Sequence, residues 1–182
     1  MKILQKQPVA LLIMVVVIVL SCLLGCRRSL LALRQDVEDC FYNGEEGDGF
    51  SIQADLEYVG GTASNLKTVA LRYISADDPA VVRLTEARNA LTAAKDIPGK
   101  YAAATELSDA VQVLYDSLDP SKMTSTDKNY RASLYDDISS AMQRISHNEY
   151  NDRAREFNAI LDGFPANLIV RIVHIDPIQL YG

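Results

Sequence analysis

The chain opens with a stretch in which apolar residues follow one another without a charge. Residues 7–26 are 20 consecutive uncharged positions, with a basic residue directly before and after them. A helix of that length rises about 30 Å, which matches the hydrocarbon core of a bilayer. The pattern predicts one transmembrane helix over residues 7–26, through which the chain contacts membrane lipid, preceded by a short flank over residues 1–6.

The same stretch has two further interpretations. A cleaved secretory signal needs a small-residue site after a shorter apolar core, and no such site follows this run. A bacterial lipoprotein signal is suggested by LLGC over residues 23–26 and VLSC over residues 19–22, which makes Cys26 and Cys22 candidate sites of lipid attachment. A retained helix is favoured because 17 or more apolar residues already span a bilayer. The choice between spanning helix and lipidated cysteine stays open.

Beyond the run, apolar residues recur every three or four positions, which is the spacing of one helical face. The first such stripe indicates that the membrane helix continues into the following domain; it contains Leu30, Leu33, Val37 and Cys40 or Phe41. The acidic, glycine-rich residues 43–49 then predict a surface turn. Further helices are predicted over residues 51–75, 79–94 and 100–118, and from Thr124 to Gly163.

Local signals refine the helix ends. The Gly60-Gly61 pair costs a helix about 2 kcal/mol relative to alanines, so a kink or break is expected there. Asp78 can cap a helix that has Pro79 in its first turn. The IPG sequence over residues 97–99 predicts an interruption, because proline removes a backbone hydrogen bond.

The C-terminal part is predicted as one long helix followed by an extended tail. TSTD over residues 124–127 resembles a capping box at the start of this helix, and two apolar stripes follow it slightly out of phase. Residues 166–182 are rich in β-branched side chains and are expected to be extended. The fold class is therefore all-α, an antiparallel bundle of four to five helices over residues 27–182 with an extended C-terminal tail.

The distribution of charge limits the partners. All 24 acidic residues but only 16 of the 18 basic ones follow the apolar run, so residues 27–182 carry a formal charge of −8. Such a domain repels phosphate backbones and anionic headgroups, so no nucleic-acid partner is predicted. The domain is expected to be tethered to the membrane by its helix and not to lie on the lipid. Three positive groups flank the run on each side, and the positive-inside rule therefore leaves the orientation undetermined.

Residues that commonly carry chemistry are scattered. The three cysteines have no disulfide or metal-ligand spacing, and neither His147 nor His174 follows a Glu-x-x-His pattern, because Arg144 and Arg171 stand three positions earlier. No nucleophile or phosphate-binding motif is present. The sequence predicts no metal, no cofactor and no enzyme activity.

Tyr150, Asn151 and Asn158 are the polar residues of greatest interest. They could form a hydrogen-bonding cluster that binds a ligand. The favoured interpretation is structural, because asparagines seven residues apart share one helical face and can satisfy backbone groups of neighbouring segments.

Three segments of the chain resemble the LemA family. YNDRAREFN over residues 150–158 and FPANLI over residues 164–169 are similar to its Tyr-Asn pattern and its Phe-Pro-Ser-Asn-Leu-Ile signature, at matching spacing. LRQDVEDCF over residues 33–41 is similar to a segment near the family's membrane helix. The family-motif residues, interpreted as structural, are Tyr150, Asn151, Phe157, Asn158, Phe164, Pro165 and Asn167.

The chain also departs from the family. The family has Arg-Arg-x-Asp-Leu-Ile-Pro-Asn-Leu where this chain has YVGGTASNL over residues 58–66, and only Asn65 and Leu66 match. Residues 42–49 resemble an insertion relative to the family. The resemblance implies a bacterial membrane protein with one N-terminal membrane helix and a helical bundle without assigned activity. The hypothesis is a membrane-anchored, non-catalytic scaffold that binds a protein partner. The alternative is a lipoprotein or membrane-tethered module that binds a small ligand.

Overall fold

The computed structural model describes residues 7–44 and 50–182. Over these residues the chain contains seven α-helices, one turn of 3₁₀ helix at Pro120–Lys122 and no strand, which confirms the all-α prediction. The predicted flank over residues 1–6 and most of the predicted turn, residues 45–49, lie outside the described residues. The helices are α1 (Gln7–Asn43), α2 (Ile52–Ala70), α3 (Pro79–Ala93), α4 (Ile97–Ser117), α5 (Ser125–Ser146), α6 (Tyr150–Asp162) and α7 (Ala166–Val173).

The chain divides into two compact units. The first, called the α1 unit, contains the chain up to Glu38 together with Asp152–Ile178. The second, called the bundle unit, contains Asp39–Asn151 together with Gln179–Gly182.

Helix α1 carries the apolar run in its N-terminal part. It is continuous over 37 residues, as the stripe that follows the run predicts. By length and composition it can cross a membrane, and none of its most apolar 18-residue window is buried. Its leucines, valines and isoleucines between residues 11 and 20 expose 41% to 64% of their surfaces.

The bundle unit is built from α2, α3, α4 and α5. The most extensive packing joins α2 to α5 and α3 to α4. Surface ion pairs follow the same pairing, since Arg144 lies 2.5 Å from Asp55 and Arg83 lies 2.9 Å from Glu106. Its apolar core contains Val59, Ala63, Leu66, Val69, Ala70, Ala80, Val81, Leu84, Ala87, Leu107, Ala110, Val111, Leu114, Leu118, Met123, Ile138 and Ala141.

The predicted break at Gly60-Gly61 is wrong, because α2 runs through both glycines. Burial of flanking residues such as Val59 and Ala63 outweighs the helix-propensity cost. Residues 97–99 do not lie in an interruption either, but form the first turn of α4. There the carboxylate of Asp96 accepts from the Gly99 N–H at 2.7 Å, and proline in a first turn displaces no hydrogen bond.

The helix predicted from Thr124 to Gly163 is divided into α5 and α6. The division explains why the two apolar stripes are out of phase. At the start of α6 the Asn148 side chain accepts from the Tyr150 N–H at 2.9 Å. At the start of α5 Thr124 accepts from the Asp127 N–H at 3.1 Å, as the capping-box prediction requires of its first residue.

The tail predicted to be extended over residues 166–182 contains a helix in its first part. Residues 166–173 form α7, which ends at His174 in a left-handed conformation (φ 52°). The β-branched content of this segment suggested an extended chain, but Leu168 and Ile172 are spaced one helical turn apart. The residues from Ile175 to the C-terminus contain no helix or strand.

Candidate functional site

Asn158 in α6 binds the tail within the α1 unit. Its side-chain Nδ2 donates to the Ile178 carbonyl at 2.9 Å, and its Oδ1 accepts from the Ile178 N–H at 2.8 Å. The amide thus satisfies both backbone groups of one residue of the tail. Ile178 itself is buried.

Asn151 makes the same type of pair within the bundle unit. Its Nδ2 donates to the Tyr181 carbonyl at 2.7 Å, and its Oδ1 accepts from the Tyr181 N–H at 2.8 Å. The neighbouring Tyr150, fully buried, donates its hydroxyl to the Gln179 carbonyl at 2.6 Å. The polar side chains that the sequence singled out therefore bind backbone groups of the chain's own tail.

Aromatic rings surround this end of the tail in the bundle unit. The Phe41 ring lies 5.1 Å from that of Tyr150 and 5.9 Å from that of Tyr181, and Tyr101 lies 5.2 Å from Tyr181. Among the described residues the buried Tyr181 hydroxyl has no hydrogen-bond partner. Burial, together with the nearby Tyr101, raises the pKa of Tyr181 to about 12.

The remaining family-motif residues are not brought into one site. Phe157 is buried in α6, whereas Phe164 is 83% exposed. Pro165 directly precedes α7, and the peptide bond between Phe164 and Pro165 is cis. Asn167 is half-buried near the start of α7, and its Oδ1 has no hydrogen-bond partner among the described residues.

A groove of about 340 Å³ lies within the bundle unit, between α2, α3 and the start of α4. Gly60 and Gly61 form part of its wall, and a Cβ atom added to either would meet nothing within 4 Å. The groove is at the lower end of the volume range of small-molecule sites. Its lining consists of Gln53, Leu56, Glu57, Gly60, Gly61, Arg88, Leu91, Thr92, Ala94 and Lys100.

Two cations define the chemistry of this groove. Arg88 donates from Nε to the Gly60 carbonyl at 3.1 Å, and Lys100 donates to the side-chain oxygen of Gln53. Gln53 in turn donates to Glu57 at 2.6 Å. With two cations and one carboxylate on its walls, the groove suits a small anion that has an apolar part. The glycine pair, interpreted from the sequence as a kink, is the signal that could have located it.

A buried carboxylate of α5 binds the turn that follows α2, and the sequence did not single it out. Asp127, 5% exposed, accepts from the Tyr73 hydroxyl at 2.5 Å and from Arg72 at 2.6 Å. The hydrogen bond from Tyr73 lowers the pKa of Asp127, with Thr124 and Arg72 acting in the same direction against burial. Asp127 is not among the residues that line the groove, and its carboxylate joins α5 to the turn after α2.

The candidate cysteines and histidines lie apart from these contacts. Cys22 and Cys26 are on α1 with free thiols, the first exposed and the second half-buried. His147 lies 2.9 Å from the Gln143 carbonyl and His174 lies 3.2 Å from the Ile172 carbonyl. Over residues 7–44 and 50–182, no three metal-ligating side chains come together.

Comparison with known proteins gives one family. The family model described as "LemA family" matches residues 51–182, which is most of the chain and includes the helices from α2 to α7. Among curated proteins, none matches this sequence.

Proposed function

The chain belongs to the LemA family, and from that premise we propose that it is a membrane-anchored, non-catalytic scaffold of a bacterial cell membrane. Residues 7–26 of α1 hold it in the lipid, and the bundle unit presents a helical surface to a partner protein.

The observation that carries the anchoring is the exposure of apolar side chains on α1. Leu11, Leu12 and Leu20 each expose more than half of their surfaces. Burying a side chain of this size is worth about 1.5–3 kcal/mol, so a run of such residues favours transfer into hydrocarbon strongly. A bilayer supplies that environment over the whole length of the run.

The scaffold role is supported by how the polar residues are used. Three of the four polar residues of the family motif, Tyr150, Asn151 and Asn158, bind the tail. The bundle core is apolar, and the chain beyond the apolar run is acidic, which favours a protein partner over a nucleic acid. Each of the bundle's four helices carries at least one large exposed side chain suited to contact with a partner. Taking one residue from each helix in chain order gives Tyr58, Val82, Val113 and Tyr130.

The scaffold proposal is tested by photo-crosslinking from these four positions in the full chain in native membranes. A partner that binds one face should give a discrete crosslinked product from one or two positions, with the others serving as matched controls. If none of the four yields a product above the background of an unmodified chain, the scaffold role is contradicted.

The anchoring is tested separately on isolated membranes. The full chain should stay with the membranes during an alkaline carbonate wash and should incorporate no labelled fatty acid. Incorporation that is lost in Cys26→Ser or Cys22→Ser would instead identify a lipoprotein attached through that cysteine. Release of the unlabelled chain into the wash would contradict membrane anchoring altogether.

The groove beside Gly60-Gly61 favours a second candidate function, a membrane-tethered module that binds a small anion. Its test uses an aromatic sulfonate dye, 8-anilinonaphthalene-1-sulfonate, with the full chain in nanodiscs. Gly61→Leu places a side chain in the groove and should abolish a saturable part of the dye binding. Ala54→Leu, on the exposed part of α2 outside the groove's lining, is the matched control. Equal dye binding by both variants and the unmodified chain contradicts this function.

A further inference from the structure

Helix α7 has an apolar face that its own unit leaves exposed. Leu168 and Ile172, one turn apart, are 55% and 61% exposed, and Phe164 just before the helix is 83% exposed. Side chains four residues apart in a helix point in nearly the same direction, so Leu168 and Ile172 form one narrow stripe, and the exposed Phe164 lies two residues before the helix begins. An eight-residue helix is not stable in water by itself and depends on what its faces contact.

A hydrogen bond holds the C-terminal end of α7 close to α1, within the α1 unit. The Arg34 side chain of α1 donates from Nη1 to the Asp176 carbonyl at 2.8 Å, and Asp176 follows α7 by three residues. Arg34 is eight residues beyond Cys26, the last residue of the apolar run, which is about 12 Å along a helix. The headgroup layer is about 5–7 Å thick on each side of the hydrocarbon. With a length of about 12 Å, α7 can therefore reach that layer from its tether.

The charges near α7 also suit a membrane surface. Residues 163–175 contain no acidic residue, although the chain beyond the apolar run is strongly acidic, and the one charged residue of α7 is Arg171. Arg27 and Arg28 are exposed on α1 directly after the apolar run. Helices that lie in the membrane interface combine an apolar face with basic residues in this way.

We propose that α7 is a second membrane contact, lying at the boundary of headgroups and acyl chains in the leaflet where the apolar run of α1 ends. Phe164, Leu168 and Ile172 enter the outer acyl layer, and Arg171 binds headgroup phosphates. The proposal rests on the proposed anchoring through α1. It modifies the expectation that the acidic domain stays clear of the lipid, because α7 is free of acidic residues.

The experiment uses the absence of tryptophan from the sequence, which makes a single introduced tryptophan a fluorescent probe without background. Ile172→Trp is placed in the full chain, reconstituted in vesicles whose lipids carry bromine atoms at a shallow or a deep acyl position. Leu20→Trp in the apolar run is the positive control for membrane insertion. Tyr130→Trp, 55% exposed on the bundle unit, is the control for a residue in water.

The Ile172→Trp variant should emit at shorter wavelength than the Tyr130→Trp variant and should lose much of its emission to shallow bromines, and less to deep ones. If bromines quench Leu20→Trp but not Ile172→Trp, the proposal for α7 is overturned while the anchoring stands. A blue-shifted emission from Ile172→Trp that bromines do not quench would mean that protein covers the stripe, which also overturns it. If neither variant is quenched, the proposed anchoring fails and the proposal for α7 fails with it.

Discussion

The side-chain amide of Asn158 pairs with both backbone groups of Ile178, donating to the carbonyl at 2.9 Å and accepting from the N–H at 2.8 Å. One side chain thus makes the two backbone hydrogen bonds that a neighbouring strand makes to a residue in a β-sheet. Asn151 does the same for Tyr181.

Replacing Asn158 by aspartate should weaken this pair. Asn158→Asp removes the donor and brings a carboxylate toward the Ile178 carbonyl, so the free energy of unfolding should fall by about 1–3 kcal/mol. Urea denaturation measures this change, and faster hydrogen exchange at the Ile178 N–H locates it. Asn129→Asp, exposed on α5, is the control and should change stability little. Equal stability of the two variants would show that the pair does not hold the tail.

The sequence predicts the elements whose determinants are local. The start of α3 follows from Asp78 and Pro79, since Asp78 accepts from the Ala80 N–H at 2.9 Å. The continuation of α1 beyond the apolar run follows from the spacing of Leu30 and Phe41, which are both buried. In each case the signal and its effect lie within a few turns of one helix.

What the sequence did not predict depends on distant residues. The position of Asn158 on a helix could be predicted, but its partner is 20 residues away in a segment without regular structure. The network around Asp127 joins residues more than 50 positions apart. The groove lies beside Gly60-Gly61, where α2 stays helical because of packing and against its helix propensity.

Loss of the hydroxyl should change the free energy of unfolding differently at Tyr150 and at Tyr181. Tyr150→Phe removes the 2.6 Å hydrogen bond to the Gln179 carbonyl and should lower the free energy of unfolding by about 1–3 kcal/mol. Tyr181→Phe removes a buried hydroxyl that has no partner among the described residues, so stability should stay equal or rise. Urea denaturation at pH 7 compares the two variants. A loss in Tyr181→Phe as large as that in Tyr150→Phe would contradict the difference.

Tyr181 should also make the fold sensitive to alkaline pH. Burial raises the pKa of Tyr181 from about 10 to about 12, so the neutral hydroxyl is favoured in the folded chain. The contribution of the neutral Tyr181 side chain to the free energy of unfolding is fully present below pH 10 and is lost as the pH rises toward 12. In thermal unfolding between pH 9 and pH 12, the unmodified chain should lose more stability than Tyr181→Phe. Parallel curves for the two would show that Tyr181 does not contribute.

Acid should lower the stability of the fold by protonating Asp127. The hydrogen bond from Tyr73 lowers the pKa of Asp127 below its ordinary value of 3.8, so the carboxylate stabilises the fold above that value. The contribution is lost as the pH falls below 3.8 through the lowered pKa. Asp127→Asn should therefore have a lower Tm at pH 7 and a smaller loss of Tm between pH 7 and pH 2. Asp136→Asn, exposed on the same helix, should behave like the unmodified chain.

The continuous helix through Gly60-Gly61 predicts that these glycines can be replaced with a gain in stability. Gly60→Ala and Gly61→Ala should each raise the free energy of unfolding by about 0.5–1 kcal/mol, because alanine favours the helix and the added methyl group meets nothing within 4 Å. Chemical denaturation of the single and double variants measures the gain. Gly99→Ala is the contrasting control, since its Cβ would lie 2.7 Å from the Asp96 oxygen that caps α4, and no gain is expected there. A loss of stability in both α2 variants would mean that the helix bends at the glycines, as the sequence alone had suggested.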